Sequence, residues 1–303
     1  MFTRLLSLIC GSRISSAVCC LAGFQYTVMY RLCARQKAGK ASEVQNQGTQ
    51  SMKTIMITGA GSGIGRAVAT IMYEQGWHLG LLDVSREPLK TLSADWDKSR
   101  YTIEVADVTN ADMVSTAINS YMKGVQQLDV LFNCAGVLEI GDFESIDLHR
   151  HHQILDINNR GVLNCCYYAF PYLRDTAGAR VINMSSASSL FGVPGFASYS
   201  ASKFWVKGFT ESLNVEWARH DITVMDIEPP FVKTPMLEGK ESKIISRLGV
   251  KLDANDIALQ VFEAVSASNM HRPVGLEYKV LRTAKKLLPD IATRTLMKVL
   301  SGY

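Results

Sequence analysis

From residue 52 onward, short apolar runs alternate with longer stretches whose apolar residues recur at helical spacing, with turn residues between them. Seven runs read as strands: residues 54–58, 78–83, 101–105, 130–133, 181–184, 223–227 and 274–278. Helices are expected to start near Gly63, Ala111, Ser198 and Asp253, and a long one to cover much of 148–173, with Pro171 near its end. Such alternation is what helices covering both faces of a parallel sheet produce. The fold class is therefore α/β: a three-layer sandwich with a mainly parallel, seven-stranded sheet. The pattern shows no internal repeat and no second domain, and the 252 residues of 52–303 suit one such unit.

The first strand runs straight into Thr58-Gly59-Ala60-Gly61-Ser62-Gly63-Ile64-Gly65, and a helical run leaves it. Gly59, Gly63 and Gly65 permit a tight turn and let a phosphate come close to backbone that side chains would otherwise shield. The helix start at Ser62, Gly63, Ile64 and Gly65 then presents unpaired amides to a pyrophosphate. That makes the sandwich Rossmann-like. Asp83 ends the second strand, eighteen residues past Gly65. Its carboxylate can accept both adenosine ribose hydroxyls and repels a 2′-phosphate. Ser62 brings no cation into the turn, and neither Arg66 nor Arg86 cancels Asp83, so NAD is expected over NADP. Asp107 and Val108, after the third strand, are placed to meet the adenine edge. The stretch Asn133-Cys134-Ala135-Gly136 after the fourth strand offers small residues where the cofactor would pass.

Tyr199 and Lys203 are four residues apart and so share a helix face. A free phenol is a weak base at neutral pH, but a neighbouring ammonium and an oxidised nicotinamide ring favour its ionised form. It can then take the proton of an alcohol as hydride leaves carbon, or return it to an alkoxide in reverse. Lys203 can also hold the nicotinamide ribose. Ser186 closes the strand Val181-Ile182-Asn183-Met184-Ser185-Ser186, and its hydroxyl can bond the same carbonyl or carbinol oxygen.

With these motifs in place, the chain resembles the short-chain dehydrogenase/reductase family in its single-domain form of about 250 residues. The likeness runs from Met52 into the C-terminal tail. It matches Gly59, Gly63 and Gly65 to the family's glycine turn, and Ser186, Tyr199 and Lys203 to its catalytic serine, tyrosine and lysine. The resemblance also implies that Asn158 steadies a water beside Lys203 and completes a proton relay. By the same likeness Asn133 begins the family's NNAG stretch and Asp107 is its adenine aspartate. Pro229, Val232 and Thr234 belong to its Pro-Gly-x-Val-x-Thr segment, which holds the nicotinamide carboxamide. Three positions depart from the pattern: Cys134 for asparagine, Ser189 for glycine, and Pro230 for glycine in a loop that proline would reroute. The family further implies a homodimer or homotetramer, formed through helices around 161–172 and 201–217.

The substrate wall is expected from 138–140, 190–196 and 231–248; within the last, Met236 and Leu237 begin a flexible lid carrying Glu238, Lys240 and Lys243. Its apolar character, with no arginine set for a carboxylate, points to an apolar secondary alcohol or ketone. A catalytically inactive nucleotide sensor or interaction protein is the rival reading, and the complete Ser186, Tyr199, Lys203 and Asn158 set argues against it. A nucleotide-sugar epimerase or dehydratase would want a larger substrate domain.

Charge and cysteines narrow the classes further. The net +4 of the chain resides in residues 1–51, where six basic residues face Glu43 alone; 52–303 is net −1, which argues against nucleic acid. Residues 1–51 read as a basic and apolar leader and linker. Three readings of it stay open: a membrane anchor holding a cytoplasmic catalytic domain, an organelle-targeting segment, or a nonessential extension before Met52. Seven irregularly spaced cysteines form no zinc or disulfide pattern, and His149, His151 and His152 lack carboxylate support, so no metal is expected. Residues 279–300 alternate basic and apolar side chains around Pro289. They read first as a helix pair closing over the body or a partner subunit, and second as a segment touching membrane lipid.

Overall fold

Apolar side chains on successive strand positions point to opposite faces of the sheet, and both faces are covered. The computed structural model describes residues 52–303. In chain order the elements are β1 (Thr54–Thr58), α1 (Gly63–Glu74), β2 (His78–Asp83), α2 (Arg86–Leu92), β3 (Tyr101–Val105), α3 (Ala111–Met122) and β4 (Val130–Asn133). Next come α4 (Leu148–Leu155), a π-helical turn (Asp156–Arg160), α5 (Gly161–Arg174), β5 (Arg180–Met184), α6 (Ala197–Trp217) and β6 (Thr223–Glu228). The remainder holds β7 (Val232–Lys233), α7 (Lys243–Leu248), β8 (Leu252–Asp253), α8 (Ala254–Ala264), β9 (His271–Pro273), α9 (Leu276–Lys285) and α10 (Asp290–Ser301).

The main sheet has the order β3-β2-β1-β4-β5-β6-β9, and every pairing in it is parallel. Ile55 and Ile57 face a layer with Val68, Met72, Ile257 and Val261 from α1 and α8. Met56, between them, joins the opposite layer with Ile118 and Tyr121 of α3, Leu173 of α5 and Trp217 of α6. Each large aliphatic or aromatic side chain fully buried this way contributes about 1.5–3 kcal/mol. The chain builds outward from β1 through β2 to β3, then returns to β4 on the other side. The carboxyl ends of β1 and β4 thus flank the crevice where the strand order reverses, and the loops after β1, β4, β5 and β6 gather there.

The seventh strand is not where the apolar pattern puts it. Residues 274–278 are not a strand: β9 is His271–Pro273, Gly275 turns the chain at φ +85°, and α9 begins at Leu276. The long helix expected over 148–173 forms, but is interrupted by the π-helical turn. Just past that turn the helix packs closely on the loop after β3, where a Cβ on Gly161 would come within 2.6 Å of Val108 Cγ2. The stretch expected to form a lid ends in α7, whose Ile244 is buried. Of the histidine run, His151 is buried, its ring 2.7 Å from Ser198 Oγ and 3.0 Å from the Phe143 carbonyl, whereas His149 and His152 are exposed. Cys134, Cys165 and Cys166 are free thiols. The readings placed on residues 1–51 lie outside the described residues. Among the described residues, no helix is long and apolar enough to cross a membrane.

An ionic cluster lies under the last two helices. Glu228, fully buried at the end of β6, accepts from Lys207 of α6 (3.1 Å) and from Tyr278 (3.2 Å) on α9, and Arg282 of α9 sits 3.3 Å away. Beside it, Asp226 bonds His271 at 3.0 Å, and His271 reaches Glu211 at 3.2 Å. Asp226, Glu228 and His271 bring three ligand atoms within 4.8 Å of one another, but both oxygens of Glu228 already face cations or a phenol.

Candidate active site

The glycine turn after β1 is built by close approaches. Gly59 has φ +68°, and a Cβ there would stand 2.9 Å from Ala135 Cα; one on Gly65 would stand 2.1 Å from the Gly59 carbonyl oxygen. Larger residues at either position would push the turn apart. The turn is also tied to β2, because Gly61 N–H donates to Asp83 Oδ2 (2.9 Å) and Ser85 N–H to Asp83 Oδ1 (3.1 Å). No side chain caps the start of α1, and its first turn contains no acid, so its positive end stands open to an anion.

The chemical groups come from two elements. Tyr199 and Lys203 lie one turn apart on α6, and Ser186 follows β5. Lys203 Nζ donates to the Met184 carbonyl (2.8 Å) and sits 5.5 Å from the centre of the Tyr199 ring. Burial pushes the Tyr199 phenol up to about 12, against the pull of the Ser186 hydroxyl, and brings Lys203 down to about 8. Without a ligand, then, the lysine does not by itself ionise the phenol, and both groups are poised to respond to added charge. A testable consequence follows. Lys203 binds a proton less readily when folded, so stability rises with pH between about 8 and 10.5, by about 3 kcal/mol in all. The raised Tyr199 opposes this above pH 10. Thermal unfolding of ligand-free protein is expected to shift upward from pH 7.5 to 9.5, and Lys203→Met to flatten the shift.

One cleft unites the two ends, with about 930 Å³ of empty space partly open to solvent. Of the residues singled out by sequence, Gly59, Ser62, Gly63, Ile64, Ala135, Gly136, Ser186, Tyr199, Lys203, Pro229, Val232 and Thr234 line it. Gly65 supports it from behind, and Asp83 through Gly61. Asp107 and Val108 do not line it: Asp107 Oδ1 accepts from Thr109 N–H (2.8 Å), and the Val108 carbonyl accepts from Asn164 (2.9 Å). Asn133 turns its amide inward, donating to Asn183 Oδ1 (2.8 Å). Asn158, in the π-helical turn, accepts from Val137 N–H (2.8 Å) and donates to Val137 O (3.1 Å) and Ser202 Oγ (3.0 Å). Its side chain therefore clamps the loop after β4 to the helix that carries Lys203. π-helical turns concentrate at functional sites.

The three departures are absorbed locally. The Cys134 thiol is pushed up to about 12 by burial and lies on the cleft wall. Ser189 closes a short turn, its hydroxyl donating to the Ser186 carbonyl (2.8 Å). Pro229 and Pro230 lead into β7, which pairs with β8.

One further group, and the partner of another, escape sequence reasoning. Ser185 lines the cleft with its Oγ buried and unpartnered, an orphaned polar atom that a ligand can satisfy. Lys240 pins the lid to the opposite wall, donating to the Leu138 carbonyl (2.5 Å) and Glu139 Oε1 (3.2 Å). The outer wall is apolar: Leu138, Phe191, Phe196, Phe231, Leu237 and Met297 form one cluster that includes the Tyr199 ring. An open helix start, a glycine cradle, an orphaned hydroxyl and a carboxylate at the end of β2 beside the turn fit a dinucleotide.

The family model described as "short chain dehydrogenase" matches residues 53–244. Oxidoreductase UcpA of Salmonella typhimurium is 31% identical over 224 residues, covering 73% of this chain and 83% of that protein. The 3-ketodihydrosphingosine reductase of Mus musculus is 27% identical over 236 residues, covering 73% and 70%. Among solved structures, a short-chain dehydrogenase/reductase from Burkholderia phymatum in complex with NAD aligns with a TM-score of 0.68 and 25% identity, covering 77% of this chain and 92% of that one.

Proposed function

The chain belongs to the short-chain dehydrogenase family and is a dinucleotide-dependent oxidoreductase; from that premise we propose that it interconverts an apolar secondary alcohol and ketone, with NAD as the preferred cofactor. The observation that carries this reading is the double placement of Tyr199. Its ring belongs to the apolar cluster of Phe191, Phe196 and Phe231, while the residue also lines the cleft that starts at the glycine turn. The bound nicotinamide would accept or supply the hydride. Tyr199 moves the proton of the substrate oxygen, Ser186 bonds that oxygen, and Lys203 supplies the positive charge that eases ionisation of the phenol. Asn158 holds the loop and helix in register around them. Asp107, Val108 and Asn133 support the cofactor side from behind the cleft wall. The likeness to a 3-ketodihydrosphingosine reductase supports a long-chain apolar substrate.

Residues 52–303 form the catalytic domain. Exposed apolar side chains on α5 and α6, including Leu163, Tyr167, Phe204 and Val215, support pairing with a second copy. The test is a cofactor-coupled rate screen over alcohols and ketones of graded apolar length with both nucleotides. The expected result is kcat/KM rising with apolar length and higher with NAD; a rate confined to short polar substrates would overturn the substrate reading.

Asp83 sets the cofactor expectation. Asp83→Ser is expected to lower kcat/KM with NAD and narrow or reverse the preference over NADP, since the ribose acceptor and the repulsion of a 2′-phosphate disappear together. Because Asp83 also accepts from Gly61 and Ser85, the variant should lose about 1–3 kcal/mol of stability. Paired rate measurements with the two nucleotides and a denaturant melt check both halves.

A further inference from the structure

The last two helices each carry a second apolar stripe, and it faces away from the protein. On and just past α9, Leu276 (74% exposed), Val280 (45%) and Leu287 (83%) recur at helical spacing, and on α10 Ile291 (76%) and Val299 (57%) do the same. The opposite stripes are the ones that pack inward, through Tyr278, Leu281, Leu296, Met297 and Leu300. Regular apolar exposure on both members of a helix pair marks a contact surface.

The polar positions around these stripes are basic. Residues 276–301 hold Lys279, Arg282, Lys285, Lys286, Arg294 and Lys298 against Glu277 and Asp290, a net +4. Since 52–303 is net −1, the rest of the described protein is net −5. Arg282 is committed to Glu228, and Glu277 is already paired with Lys251. Among the described residues no carboxylate pairs with the other five cations. The basic charge is therefore concentrated on the same pair of helices as the outward apolar stripes.

We propose that α9 and α10 lie on an anionic lipid surface, with the turn at 287–291 entering the acyl boundary and the exposed Lys286, Arg294 and Lys298 meeting headgroup phosphates. Charge selects this occupant over the alternatives. Residues 1–51 are net +5 and would be repelled by the face. A second copy applying the same face through two-fold symmetry would set +4 against +4. The inner sides of these helices wall the apolar cluster around Tyr199, so the docked face would lie one helix away from the substrate wall. Reading that wall as a substrate wall rests on the function proposed above; the docking itself does not.

The test uses the full chain and vesicles of phosphatidylcholine with or without phosphatidylserine, in versions brominated on the acyl chains. Leu287→Trp adds a reporter at the turn, read against the unchanged protein, whose own tryptophans and residues 1–51 are present in both. The added emission is expected to shift blue and be quenched by brominated chains in phosphatidylserine vesicles. Reversing charge in the same background, with Lys286→Glu, Arg294→Glu and Lys298→Glu together, should abolish the quenching while cofactor binding stays unchanged. The proposal is overturned if the reporter is never quenched, if charge reversal leaves quenching intact, or if a concentration-dependent blue shift without lipid shows a protein occupant instead. Quenching without turnover would sink the oxidoreductase reading alone, and turnover without quenching the docking alone.

Discussion

Tyr199→Phe is expected to lower kcat/KM by a factor on the order of 10²–10⁴, the range a positioned proton-transfer group supplies. That corresponds to about 3–5 kcal/mol of transition-state stabilisation. The substitution is clean because the two functions of the side chain separate. Its ring packs in the apolar cluster with Leu138, Phe196 and Phe231, and phenylalanine retains that packing. Only the hydroxyl beside Ser186 is lost, so stability should fall by no more than about 1 kcal/mol. Cofactor affinity, measured by tryptophan quenching or calorimetry, should change little, because the glycine turn is untouched. A variant that folds, binds the nucleotide and turns over at the original rate would remove Tyr199 from the mechanism.

What sequence could reveal here follows from which interactions are local. Strands β1, β2, β4, β5 and β6 were legible because each is a largely apolar run bounded by turn residues, and burial on both faces demands that run; β3, at the sheet edge and only half-buried, shows instead as the alternation Tyr101, Ile103 and Val105. The glycine turn was legible because its spacing is contiguous, and Tyr199 with Lys203 because one helical turn joins them. The edge strand β9 was misplaced for the converse reason. His271-Arg272-Pro273 has no apolar run; side-chain pairs hold it instead, His271 to Asp226 and Arg272 to Glu263. Meanwhile Val274, Leu276 and Tyr278 alternate as a strand would, yet Gly275 breaks the chain and α9 uses Tyr278 and Leu281 as its inner stripe. For Asn133 the position at a strand end is visible in sequence, but the side chain's inward bond to Asn183 is not. Lys240 reaching Leu138, 102 residues away, has no local signature at all.

Glu228 is the farthest of these from sequence-level detection, and its removal carries the largest expected loss of stability. Its carboxylate is fully buried and joins three elements: the end of β6, Lys207 on the catalytic helix α6, and Tyr278 and Arg282 on α9. Lys207 is one helical turn beyond Lys203, and Glu228 immediately precedes the Pro229-Pro230 loop on the cleft wall. Glu228→Ala leaves two mostly buried cations without their anion, a change that costs about 3–5 kcal/mol. For a domain of this length that amounts to a fall in Tm of roughly 6–20 °C. The matched control is Glu263→Ala, which removes the carboxylate paired with Arg272 where that carboxylate is 60% exposed; its expected cost is about 0–1 kcal/mol. The difference between the two isolates burial from pairing, since each variant deletes one carboxylate that faces an arginine. If Glu228→Ala melts no lower than Glu263→Ala, the cluster does not hold α6 and α9 together, and the placement of the catalytic helix must come from apolar packing alone.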